Sequence, residues 1–422
     1  MKKLFLIIAL AALSGAAAAQ EKIFSITACT SESPEDSMNF SWATDKAITM
    51  ATIEVAPARF KDWKKAIRDN VGGRYCNTYD SIYSKTAKGE NFYEDVKISK
   101  YNASVGKLKR DTEYKYRIIA DGDTSRVGHF RTAGAREWSA CIISDFHAYL
   151  PLYARTKAGM DMVRTVGKHG MPFSWVLHLG DITAWGGSYS FWKNLYEEEP
   201  FKEYMWAGVN GNHDNMTRNY SKCTNEFFRD AAAYPHNGYE GEMGVCYHFR
   251  YGDVLFIMLN NENMKSEEGL QAAQAWVRKV VEENPAPYKV VCEHYQWFFG
   301  ADGKTSQYGR WSRLFDELGI SLALAGNNHI YVSTHPLYRD EVVEPGKGTV
   351  YIQTPSSDNE RGVACDLEKP LGHNAEKIKF RWTEGGQTVG GMHMQVSRKK
   401  MTLTLLDRNG KILDVTEVFP TK

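Results

Sequence analysis

The chain has 422 residues, with 52 Lys+Arg against 51 Asp+Glu, 43% hydrophobic and 13% aromatic residues. That length exceeds one ordinary domain, and the charged and apolar fractions exclude a largely disordered chain. A net charge near zero argues against an obligate nucleic-acid binder, and seven cysteines are too few over this length for a disulfide scaffold.

The first residues read as targeting rather than fold. Lys2 and Lys3 precede an apolar run from Leu4 to Leu13, followed by small residues ending Ala17-Ala18-Ala19. This is the order of a secretory signal, residues 1–19, and the run is too short to span a membrane. No later stretch is apolar for long enough, so an exported protein, periplasmic or secreted, is expected, with no membrane span. Cys141 and Cys292 sit in apolar strand-like runs and read as buried free thiols. Cys29 with Cys76, or Cys223 with Cys246, are the candidate bridges in an oxidising compartment.

Residues 20–133 read as short strands. Met38, Phe40 and Trp42 alternate with Asn39 and Ser41, Ile53 and Val55 flank Glu54, and Tyr114, Tyr116 and Ile118 alternate with polar residues. Period-two alternation marks half-buried antiparallel strands. The segment Leu108–Tyr114 resembles the tyrosine corner of fibronectin type III sandwiches. An all-β, fibronectin III-like sandwich is the expectation, with no titratable cluster that makes a site.

From Gly134 to the end, residues 134–422, apolar runs alternate with helical stretches. The expected strands are Trp138–Ser144, Phe173–Leu179, Tyr204–Val209, Val254–Leu259, Tyr288–Glu293, Ser321–Ala325 and Thr349–Gln353. Leu152–Lys168, Glu267–Glu283 and Ser306–Leu318 carry helical spacing. This alternation predicts an α/β layered domain.

Most of the metal-capable residues fall just past the ends of these strands: Asp145 and His147, then Asp181, then Asn212, His213 and Asp214, then His294, then Asn327 and His329. Loops at the carboxyl ends of strands are where α/β sheets place their sites. Residues two apart in extended chain share a face, which would let Asp145 and His147 meet one ion, and likewise positions 327 and 329. Carboxylate, imidazole and amide oxygen together suit a borderline divalent or trivalent metal better than calcium. The chemistry implied is a two-metal hydrolase, with ions about 3.5–4 Å apart clamping a phosphoryl group. Asp181 is the candidate shared carboxylate, Gly180 before it permitting a tight turn. His129, His178, His248 and His335 read as ordinary side chains, and His236 has only a small claim to the site. Tyr149, Trp185, Tyr189 and Trp297 stand beside motif residues, where packing is the commoner role for an aromatic.

The order D-x-H, G-D, G-N-H-D, V-x-x-H, G-x-x-H resembles the calcineurin-like metallophosphoesterase superfamily. The preceding sandwich and the context AGNNHIY resemble its purple acid phosphatase branch. The resemblance implies that Asp145, His147, Asp181 and His329 hold one metal, and that Asp181, Asn212, His294 and position 327 hold the other. The ions would be iron, manganese or zinc. Asn212 and His213 would meet the substrate phosphate, with His213 as the acid or transition-state stabiliser, Asp214 orienting it, and a metal-bound hydroxide as nucleophile.

Three positions depart from that branch. Ala184 stands where the colour-giving tyrosine belongs, and His147 where a glycine is typical. Asn327 replaces a histidine ligand of the second metal, so that site is expected to bind loosely, to prefer a harder ion, or to stay empty. The function expected is hydrolysis of a small phosphorylated substrate, a phosphomonoester first and a phosphodiester as the alternative. A degenerate metal- or phosphate-binding protein is the rival from outside enzymes.

Overall fold

The computed structural model describes residues 22–82, 92–218, 222–298, 306–357, 372–382 and 389–421. The candidate signal segment lies outside them, as does Cys365.

Two large mixed sheets organise the chain. In the ten-stranded sheet, Trp138–Ile143, Trp175–His178 and Met205–Gly208 run parallel side by side. In the seven-stranded sheet the parallel set is Val254–Met258, Tyr288–Cys292, Leu322–Ala325 and Val350–Gln353. Apart from half-buried Lys289, these strands are buried throughout. Burial on both faces is why each reads as a continuous apolar run rather than an alternation. The α-helices Tyr153–Val166, Glu267–Glu283 and Tyr308–Leu318 complete the α/β layers. Glu267–Glu283 shows why such a helix forms. Ser266 caps it, accepting from the Gly269 N–H, and Leu270, Ala273, Trp276, Val277 and Val280 make one buried stripe.

The N-terminal region is strand-rich. Its strands Ile23–Cys29, Met38–Asp45, Arg74–Ile82 and Phe92–Val105 form one layer, and Met50–Pro57, Ile67–Gly72 and Glu113–Ala120 belong to a separate sheet. Phe40 from the first layer meets Tyr116 and Phe130 of the second, with ring centroids 4.9 and 5.6 Å apart. The Tyr114 hydroxyl accepts from the Lys109 N–H at 2.8 Å, the corner geometry read from the sequence.

The sequence pattern did not anticipate how this layer is joined. Ile23–Cys29 pairs in parallel with Met205–Gly208, aligning Ala28 with Met205 and Cys29 with Trp206. One ladder therefore runs from the N-terminal strands into the parallel strands that carry the candidate site, and a single hydrophobic core spans both.

The candidate disulfides are not formed. Cys29, Cys76, Cys223 and Cys246 are free thiols, as are Cys141 and Cys292. The Cys29 sulfur instead accepts the Ala233 N–H and the Cys246 sulfur the Asn260 N–H, while Cys223 is exposed.

Candidate metal centre

The parallel strands of both sheets point their carboxyl ends at one place. Asp145 and His147 follow Trp138–Ile143, Asp181 follows Trp175–His178, and Asn212 and His213 follow Met205–Gly208. From the facing sheet, His294 follows Tyr288–Cys292, and Asn327 and His329 follow Leu322–Ala325.

Three overlapping groups bring ligand atoms within 4.8 Å of one another: Asp145 with His147 and His329, His147 with Asp181 and His213, and Asp145 with Asp181 and His294. Asp181 lies between the two sides. Its Oδ2 is 3.3 Å from His147 Nε2, its Oδ1 is 3.3 Å from His294 Nε2, and Oδ1 also accepts the His213 N–H at 2.8 Å. His329 Nε2 lies 3.5 Å from Asp145 Oδ1.

The loops reach this arrangement by an unexpected route. Extended chain was expected to aim residues two apart at one ion, but Asp145, His147, Asp181, Asn327 and His329 all have φ between 46° and 75°. These are five of the eleven non-glycine residues with positive φ among the described residues. L-residues rarely adopt this conformation, and its cost is about 1–3 kcal/mol at each position. What holds the strain is a web of loop-to-loop bonds. Asp145 N–H donates to Gly180, His147 N–H to Asp181 and Ala148 N–H to Ile182, so two site loops run together past their strands. Gly180, at φ 91°, makes the turn before Asp181. Gly211 is needed for space: a Cβ there would stand 2.1 Å from the Asp181 nitrogen.

Electrostatics follow from burial and proximity. Burial alone would raise the Asp145 carboxyl, but His329 and His294 hold it below the ordinary carboxylate range. Asp181 is held well below that range; there burial is outweighed by His294, His213 and His147. Burial would lower the His294 imidazole, yet Asp181 and Asp145 push it up to about 10. Three buried ligand-type atoms, Asp145 Oδ1, Asn212 Oδ1 and His294 Nε2, make no hydrogen bond. Buried polar atoms are normally satisfied, so orphaned atoms such as Asp145 Oδ1 and His294 Nε2, whose residues share one ligand group with Asp181, are what a cation site requires. The residues fit a metal pair.

His213 is oriented differently from the expectation. Its Nδ1 bonds the Ala184 carbonyl at 2.7 Å, and its ring lies 4.9 Å from Trp185 and 5.1 Å from His147, centroid to centroid. Asp214 does not do this work. Its carboxylate accepts from Thr183 N–H, Thr183 Oγ1 and Gly211 N–H at 2.9–3.0 Å, tying two motif loops together. Burial and the Asp181 charge push Asp214 up to about 7.

Some supporting residues carry no motif. Asn261 Oδ1 accepts both the His294 and Tyr295 N–H groups at 2.8 Å, and the Leu179 carbonyl takes His294 Nδ1 at 2.7 Å. Ser356 Oγ donates to the Asp145 carbonyl at 2.6 Å. A lone Asn or Ser in a loop has no periodicity or spacing to betray it. Of the neighbouring aromatics, Trp185 is at the site, while Trp297 is fully buried with its indole N–H on the Ala323 carbonyl. His178 is packed, bonded to the Tyr234 hydroxyl, and exposed His236 falls in none of the ligand groups.

The fold and the site define a phosphoesterase-type α/β domain with a candidate metal centre. Residues 140–331 match the calcineurin-like phosphoesterase family and residues 24–132 the purple acid phosphatase N-terminal domain. Together these spans make up most of the chain, which carries a purple acid phosphatase N-terminal domain ahead of a calcineurin-like phosphoesterase domain.

Among solved structures, the purple acid phosphatase PPD1 from yellow lupin (Lupinus luteus) seeds is similar over 94% of this chain and 74% of its own, with a TM-score of 0.71 and 14% identity. PhoD is similar over 96% of this chain and 93% of its own, with a TM-score of 0.59 and 12% identity. At those identities the likeness is one of fold. An uncharacterised protein of Mycobacterium tuberculosis (strain H37Rv) is 22% identical over 330 residues, 64% of this chain. The chain spans 60% of that relative's length.

Proposed function

We propose that the protein is an exported, binuclear phosphomonoesterase, with one ion among Asp145, His147, Asp181 and His329 and the other among Asp181, Asn212, His294 and Asn327. The observation that carries it is the placement of Asp181. Its two carboxylate oxygens each lie 3.3 Å from an imidazole, one from each sheet, in a site with orphaned ligand atoms on both sides. Bound there, two ions would supply the Lewis acidity that polarises a phosphoryl group and acidifies water.

The chain's own residues do the rest. Asp145 and Asp181 stay ionised, because the imidazoles around them stabilise the charged form. His213 keeps its Nδ1 on the Ala184 carbonyl, which fixes the ring plane and leaves Nε2 as the nitrogen for the phosphate or the leaving oxygen. Trp185 packs beside that ring and limits its rotation. Asn212 offers a buried amide oxygen as ligand.

Export is supported by the leader-like order of residues 1–19. No helix among the described residues is long and apolar enough to cross a membrane. The monoester preference rests on the resemblance to the acid phosphatase branch.

The test is hydrolysis of p-nitrophenyl phosphate beside bis(p-nitrophenyl) phosphate, with added Mn²⁺, Zn²⁺ or Fe. Faster turnover of the monoester is expected. Preference for the bis-ester would make the protein a diesterase, and no turnover with any ion would leave a binding protein with a degenerate site.

A further inference from the structure

We propose that Gln296 is a positioning residue that presents the oxygen of the Asn327 amide to the second metal position. The position so formed is oxygen-rich and selects a hard divalent cation over zinc. The inference rests on the binuclear reading above and goes beyond it by assigning a role to Gln296 and a different metal class to each half of the site.

The two loops involved are held against each other. Asn327 Nδ2 donates to Gln296 Oε1 at 2.5 Å, and the Asn327 backbone N–H donates to Asp145 Oδ2 at 3.0 Å. Gln296 is 5% exposed, and its carbonyl accepts the Gln307 N–H at 3.2 Å. Just beyond it, Trp297 is fully buried, and Phe298 N–H donates to Gln353 Oε1 at 3.0 Å. The Gln353 amide then donates to Asn328 Oδ1 at 3.1 Å, so the same side chain grips the loop after Gln296 and the loop of Asn327. Gln296 therefore has little freedom to move away.

An asparagine amide has a donor end and an acceptor end, and only the oxygen can ligate a cation. Gln296 Oε1 can only accept, so it engages the donor end of Asn327. The oxygen is the end that remains. This turns a histidine-to-asparagine replacement from a lost ligand into a changed one.

The donor sets of the two positions then differ in kind. The first combines carboxylates of Asp145 and Asp181 with imidazoles of His147 and His329. The second combines the Asp181 carboxylate and the amide oxygens of Asn212 and Asn327 with the single imidazole of His294. Imidazole suits zinc and iron, whereas carboxylate and carbonyl oxygens suit magnesium and manganese.

Metal-free full-length protein equilibrated with equal Mn²⁺ and Zn²⁺, freed of excess ion and submitted to elemental analysis, tests this. Wild type should hold one zinc and one manganese per chain. Asn327→His should hold two zinc. Gln296→Leu, which cannot accept from the amide, should keep the zinc and bind the manganese about 10–100-fold more weakly, the usual cost of losing a ligand's support. Gln296→Glu, which can only accept, should keep both ions. Retention of the zinc in Gln296→Leu reports an intact fold.

Two zinc ions in wild type, an undiminished second ion in Gln296→Leu, or its loss in Gln296→Glu would each overturn the proposal. The expected metal pattern without hydrolysis of any ester would uphold this inference while contradicting the phosphoesterase reading.

Discussion

The two halves of the metal centre are built from the same strand ends but not in the same way. On one side, Asp145, His147 and His329 come within 4.8 Å of each other, with charged and imidazole groups compensating one another. On the other, His294 is the one imidazole, Asn212 presents an orphaned amide oxygen, and Asn327 is already bonded to Gln296. Asp181 serves both. One half is a dense charge cluster that specifies itself; the other depends on neutral groups whose orientation must be set by neighbours. That is why Gln296 and Asn261, both outside any motif, act on the second half.

The contrast can be broken in graded steps. Asp181→Asn removes the carboxylate between the halves, and hydrolysis should fall by more than about 100-fold, the upper range for losing only a supporting contact. His147→Ala attacks the dense half. It should lower affinity for the first ion while leaving Asn212, His294 and Asn327 in place, which titration with a single metal would show. Asn327→His acts on the weaker half alone and should tighten zinc there without altering the first ion. A control lies in the N-terminal region. Tyr114→Phe deletes the bond to the Lys109 N–H and should cost about 1 kcal/mol of stability, read as a shifted urea midpoint with turnover unchanged. The smallest effect is spectroscopic. Ala184 provides no phenolate, so the iron-loaded protein should show no visible charge-transfer band; a purple protein would mean another tyrosine ligates the iron.

Much of the fold was legible because buried parallel strands write themselves as apolar runs. All seven expected strands of the second domain are present within two residues of their bounds. The helix at Glu267–Glu283 is marked by Ser266 and a clean apolar stripe. Three things were hidden. The pairing of Ala28 with Met205 is a contact of long sequence separation, with no local signature. The left-handed loops could not be read, since the residues involved are aspartate, asparagine and histidine rather than glycine. The motifs named ligand types, but the role given to Asp214 belongs to the Ala184 carbonyl, a backbone atom that sequence does not distinguish.

The central claim is that Asp181 joins two metal positions in one catalytic site. Metal content by elemental analysis, measured on wild type and Asp181→Asn beside hydrolysis of p-nitrophenyl phosphate, tests it most directly. Wild type should hold two ions and turn over, and the variant should lose both the second ion and turnover. Two ions and undiminished hydrolysis in Asp181→Asn would contradict it.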